Sequence, residues 1–177
     1  MSRRLVALLG ATCLLLFGLG SAIATGHGDG GRHKGDHHNG HKKASAVLFA
    51  ELSGRNEIST TTGERGAGDP DGFGSTSFTF DGGQVCFGIT VANLDAPVAA
   101  HIHRGRKSEN GPVEVTLTAP AAGDPGASSA CVAVDDALAA EIQSHPGAFY
   151  ANVHTGAFPN GAVRGQLKSL RHSRFHH

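Results

Sequence analysis

The sequence predicts an all-β domain, an antiparallel β-sandwich or barrel with one short helix. Three observations lead there. Apolar residues recur at alternate positions in short runs across residues 46–168. Clusters of Gly, Pro, Asn and Asp separate those runs. One stretch alone has both a helix start and a helix stop.

In chain order, Ala46 to Leu52 is an apolar-rich first strand. Phe73 to Phe80 alternates Ser and Thr with Phe78 and Phe80. Gln84 to Ala92 sets Val85, Phe87, Ile89 and Val91 on one face. Val113, Val115 and Leu117 alternate with Glu114, Thr116 and Thr118, and Cys131 to Val134 is a short run of the buried type. In the helix, Asp135 or Asp136 caps the start, Leu138 and Ile142 lie four apart toward the core, and His145-Pro146-Gly147 ends it. Near the end, Val163, Gly165 and Leu167 alternate with Arg164, Gln166 and Lys168.

The flanks differ in composition. Residues 1–24 carry Arg3 and Arg4, then an apolar run of roughly 15 residues, short of the roughly 20 that span a bilayer, then Ala22-Ile23-Ala24. That is a secretory signal peptide, and Cys13 leaves with it. Residues 25–43 are nearly all Gly, His, Asp and Lys, with five histidines from His27 to His41. With no apolar side chain to bury, such a segment cannot offset its ordering entropy and is expected to be a disordered tether. Residues 169–177, with His172, His176 and His177, are expected to be a similar tail. The domain is therefore residues 44–168, and the protein is expected to be secreted or held in the periplasm or at the cell surface.

Cys86 and Cys131 remain after the signal. An even count in an exported chain suggests a disulfide, the alternative being two buried thiols. Fifteen basic and fifteen acidic residues balance, and no basic surface for nucleic acid follows. With no Trp and one Tyr there is no aromatic platform for bases or sugars. No Gly-x-Ser-x-Gly elbow or phosphate-cradling loop is present, so a binding module is expected ahead of an enzyme.

Two segments carry chemistry. His101 and His103 flank Ile102, so on a strand both rings project one way, about 6.5–7 Å apart at the backbone, with Ile102 toward the core. Two imidazoles so placed can chelate one zinc or copper ion. In the second segment Val153 and Val163 take the core side, which leaves Asn152, His154, Arg164 and Gln166 on the other. If the strands adjoin, all of these gather into one polar cluster. Two readings stay open. One is a mononuclear metal site of His101, His103 and His154. The other is a hydrogen-bonded network of Asn152, His154 and Arg164, with Arg164 paired to Glu57 or Glu51. A guanidinium beside the histidines counts against a cation and suits an anionic ligand. Asn56 and Glu57 are either a ligand pair or, through Glu57, a strand-end salt bridge or an acceptor for backbone amides. The domain's four histidines, His101, His103, His145 and His154, are too few for the bimetallic site of copper/zinc superoxide dismutases.

Four motifs resemble those of the CHRD domain, the module named from chordin: Leu52-Ser53-Gly54-Arg55-Asn56-Glu57-Ile58; Ala100-His101-Ile102-His103 with Gly105 and Gly111-Pro112-Val113; Phe149 to Thr155; and Gly161 to Leu167. The proline usual soon after the glutamate of the first motif is missing. The resemblance implies a secreted, β-rich module and little about activity. The resulting expectation is a non-catalytic extracellular binding module whose partner is another extracellular protein or a surface polymer. The alternative is a copper- or zinc-binding protein that uses His101, His103 and His154 and is fed by the His-rich tether.

Overall fold

The computed structural model describes residues 47–120 and 124–170. The expected signal peptide (1–24), the expected tether (25–43) and most of the expected tail (169–177) lie outside the described residues.

Nine strands form one antiparallel sheet: β1 (Leu48–Ser53), β2 (Phe73–Asp81), β3 (Gln84–Ala92), β4 (Pro97–Arg104), β5 (Val113–Leu117), β6 (Gly126–Ala133), β7 (Phe149–Thr155), β8 (Val163–Gln166) and β9 (Lys168–Ser169). The order is β5-β4-β7-β8-β1-β2-β3-β6, with β9 also on β1. The two edges approach each other, since the Ser128 hydroxyl of β6 donates to the Thr118 carbonyl just past β5 at 2.9 Å. The sheet is thus nearly closed around one core.

Alternation decides what fills that core. Val85, Phe87, Ile89 and Val91 are all buried from β3, as are Phe78 and Phe80 from β2. Ile102, Val115, Leu117, Val153 and Val163 meet them from the other side of the closed sheet. The helix α1 (Asp136–Ser144) adds Ala139 and Ile142. Asp135 caps it, its carboxylate accepting from the amides of Ala137 and Leu138 at 2.9 and 3.2 Å. Such a cap stabilises by about 1 kcal/mol.

Two expectations from the pattern need correction. The run Cys131 to Val134 is not a buried strand. It is the end of β6, which begins at Gly126 and lies at an edge of the sheet, so Cys131 is exposed and Val132 and Val134 are half-buried. Val113 does not share the inward face of Val115 and Leu117. The pairing shifts between Ile102 and His103, with His103 opposite Val113 and Ile102 opposite Val115, and that bulge leaves Val113 48% exposed.

Cys86 and Cys131 are register partners on β3 and β6 and form a disulfide. It lies on the outer face, opposite to Val85 and Phe87, and ties an edge strand to the sheet. Closing a loop with a sequence separation of 45 removes unfolded-chain entropy, by about 4 kcal/mol.

Candidate metal centre

Strands β4, β7 and β8 are adjacent in the sheet. His101 lies opposite Asn152, and Asn152 opposite Arg164; His103 lies opposite Tyr150, and Tyr150 opposite Gln166; His154 lies opposite Ala99. Residues directly opposite share a face of the sheet. Since Ala100, Ile102, Ala151 and Val153 point into the core, His101, His103, Tyr150, Asn152 and His154 line the outer face together.

The three histidines converge there. Each offers a ring nitrogen, and the three nitrogens lie within 4.8 Å of one another. His101 Nδ1 is 3.1 Å from His154 Nε2. A tetrahedral ion with bonds of about 2.0–2.1 Å holds its ligand nitrogens roughly 3.3 Å apart. The His101–His154 contact, a ring-to-ring hydrogen bond here, has the spacing of one edge of such a site.

Two of the rings are held from behind. His103 Nδ1 lies 2.9 Å from the Gly111 carbonyl, and His154 Nδ1 lies 3.0 Å from the Pro159 carbonyl. A carbonyl only accepts, so each Nδ1 carries a hydrogen and donates, leaving the lone pair on Nε2. This second contact orients histidine ligands in metal sites. Gly111 makes its carbonyl available because the chain passes so close to the Arg104 carbonyl that a Cβ would overlap it.

Electrostatics keep the rings neutral. Burial, then the neighbouring His154 and His103, push His101 down to about 4. Burial also lowers His103 and His154, against the hydrogen bonds they donate to the Gly111 and Pro159 carbonyls, which favour the proton. Neutral imidazoles are the form that binds metal.

The histidines, Asn152, Arg164 and Gln166 share this face, and the Tyr150 ring lies between His103 and Arg164. On the β4 side His103 stacks on it, with centroids 4.8 Å apart and an interplanar angle of 5°. On the β8 side the Arg164 guanidinium carbon lies 3.3 Å from the ring centroid. Arg164 is 1% exposed and donates to Asn110 Oδ1 and to the Arg106 and Glu109 carbonyls at 2.8–3.1 Å. It clamps the loop that carries Gly111. Its charge is a minor contributor to the lowering at His103, behind burial and His154, and is not among the causes at His101 or His154. The electrostatic objection to a cation is correspondingly weak.

The residues around Arg164 do structural work. Glu51 is exposed and pairs with Lys168 at 3.4 Å, not with Arg164. Glu57 is 3% exposed, and burial pushes its carboxyl up to about 8 despite Arg164 and the Ile58 amide. It faces Arg164 largely as a neutral acid. Asn56 donates to the Arg164 carbonyl and accepts from Arg65. Gln166 Nε2 reaches the carbonyls of Gly105, Gly147 and Phe149 at 2.8–3.0 Å.

The four sequence motifs therefore occupy one continuous region of the sheet and its loops, and the profile of the CHRD domain matches residues 48–167, from β1 to the end of β8. The chain belongs to the CHRD domain family. No curated protein and no solved structure matches it. In this CHRD domain the histidine cluster and the Arg164 clamp both fall within the matched residues.

Sequence reasoning gave no role to three features. Tyr150 partitions the outer face, and its place in the alternation with Asn152 and His154 was the available signal. The Gly111 and Pro159 carbonyls leave no trace in side-chain pattern beyond the turns Asn110-Gly111-Pro112 and Pro159-Asn160-Gly161.

Proposed function

We propose that this CHRD domain is a non-catalytic, secreted metal-binding module that holds one copper or zinc ion through His101, His103 and His154. One observation carries the reading. His103 Nε2 is buried without a hydrogen-bond partner, while Nδ1 of the same ring faces a carbonyl. In a neutral ring either Nδ1–H meets the carbonyl and Nε2 is bare, or Nε2–H points away and two lone pairs oppose each other at Gly111. A metal ion at Nε2 satisfies both ends of the ring, and burial disfavours a proton there. His101 and His154 supply the other donors beside it. The family match and the disulfide are compatible with an extracellular setting, and the His-rich segment 25–43 is a source from which the ion passes to the site.

The test is the metal content of full-length protein produced without an affinity tag, after zinc or copper loading and dialysis against a weak chelator. Wild type is expected to retain one equivalent per chain more than His103→Phe. The 25–43 segment is common to both and cancels. Equal retention by the two proteins overturns the reading.

A further inference from the structure

The floor of the histidine cluster holds a second unsatisfied atom. Asn152 is 2% exposed, and its Oδ1 is buried with no hydrogen-bond partner. A lost partner on a buried polar group costs about 1–3 kcal/mol, so such a group in a folded core calls for a reason. Its position is central. Asn152 is the direct cross-strand partner of His101, lies two residues before His154 on the same face of β7, and is diagonal to His103 across β4 and β7. Diagonal neighbours remain within reach of long side chains. The Asn152 side chain also lies within reach of the His103 ring. Two buried atoms, His103 Nε2 and Asn152 Oδ1, thus occur side by side among three histidines, neither with a hydrogen-bond partner of good geometry.

We propose that Asn152 is the fourth protein donor of this metal site, its carboxamide oxygen completing a three-nitrogen, one-oxygen set. This rests on the metal-binding reading above. One divalent ion then satisfies both orphan atoms. An oxygen donor is hard, so the set favours zinc and divalent copper over monovalent copper, which prefers softer ligands. Among the described His, Cys, Asp and Glu residues only the three histidines group together, so no acidic side chain competes for this position.

The experiment compares wild type with Asn152→Leu and Asn152→Asp in the full chain, each checked for folding by circular dichroism and thermal unfolding. Cobalt(II) is the spectroscopic probe, and zinc affinity is measured by competition with a chelator. Asn152→Leu keeps the volume and removes the oxygen. It is expected to shift the cobalt visible spectrum and to weaken zinc about 10–100-fold, as losses around metal ligands do. Asn152→Asp keeps an oxygen but removes the amide hydrogens, and it is expected to match or exceed wild-type affinity. If instead the Asn152 amide nitrogen merely donates to His103, Asp sets lone pair against lone pair, and it should lose metal affinity and stability together. That result overturns the proposal, as does an unchanged cobalt spectrum in Asn152→Leu. Failure of wild type to bind cobalt or zinc at the histidines refutes the metal reading itself, and the two failures are separate measurements.

Discussion

The two sides of Tyr150 bury different kinds of polar group. On the β8 side, Arg164 is as buried as any core aliphatic, yet its guanidinium has three oxygen partners and an aromatic face. On the β4 side, His103 and Asn152 are buried with atoms that find no partner. Both sides lie on the same three strands and belong to the same motifs. A buried cation with its donors satisfied holds a fold together. Buried atoms without a partner also occur at Glu57 Oε1, Gln166 Oε1 and Thr76 Oγ1, so the orphan pair at His103 and Asn152 points to a ligand through its place among three histidines. The difference teaches that one set of motif residues carries two chemistries, a guanidinium held by oxygen acceptors and a group of neutral nitrogen donors.

Breaking the satisfied side should have the largest effect. Arg164→Leu frees the loop from Gly105 to Pro112 and leaves the Arg106 and Glu109 carbonyls without their donor. Each buried carbonyl left without a partner costs about 1–3 kcal/mol, so the loss of both is about 2–6 kcal/mol. A thermal unfolding scan should show that drop whether or not zinc is present. A drop of less than about 1 kcal/mol, the scale of an exposed contact, would show that Arg164 is not the clamp.

Glu57 comes next, and it sharpens the comparison by testing how the Arg164 side holds a buried carboxyl. Its carboxyl is raised from 4.5 to about 8 in the folded chain. The folded state therefore binds more protons than the unfolded state between those values. The stability this gives is complete below about 4.5 and is lost as pH rises through about 8. Arg164 and Tyr150 are the charged and titratable groups that act on Glu57 in this space, with the backbone at Gly68 and Gly161 closing it. Glu57→Gln has no such titration, so its stability relative to wild type should rise by about 2–4 kcal/mol between pH 5 and pH 8. Histidine titrations are common to both proteins and cancel in the difference. Parallel stability curves for the two proteins over that range would show that Glu57 keeps its charge in the fold.

These two residues also show what the sequence could and could not reveal. Alternation placed Val85, Phe87, Ile89 and Val91 inward and His101, His103, Asn152 and His154 outward, because side-chain direction in a strand is fixed by parity. It also placed Arg164 with the histidines, since parity records the face and not the neighbours along it. The partition by Tyr150 depends on ring stacking across strands, which parity does not encode. Where parity itself failed, at Val113, an extra residue in β5 changed the register. The edge position of β6 escaped for a different reason: strand order is set by long-range pairing, and a run such as Cys131 to Val134 reads alike at an edge or in the centre. Glu57 could be read as a charged strand-end residue, and only its burial under Gly161 and Gly68 makes it an acid that keeps its proton.

The smallest expected effect is the most diagnostic of the comparison. His103→Phe keeps an aromatic ring to stack on Tyr150 while removing both ring nitrogens. The Gly111 carbonyl loses one donor, a cost of about 1 kcal/mol, and the orphan Nε2 disappears, a gain of similar size. In metal-free buffer the variant should therefore unfold within about 1 kcal/mol of wild type, far from the loss at Arg164. Adding zinc then separates the two proteins. At a free concentration 100 times the dissociation constant, wild type gains about 2.7 kcal/mol, and the variant, short of one donor, gains much less. A histidine that served only the fold would give the reverse: a large loss on mutation without metal, and no divergence when zinc is added. Paired unfolding curves with and without zinc therefore decide whether the unsatisfied side of Tyr150 holds an ion or only the strands beneath it.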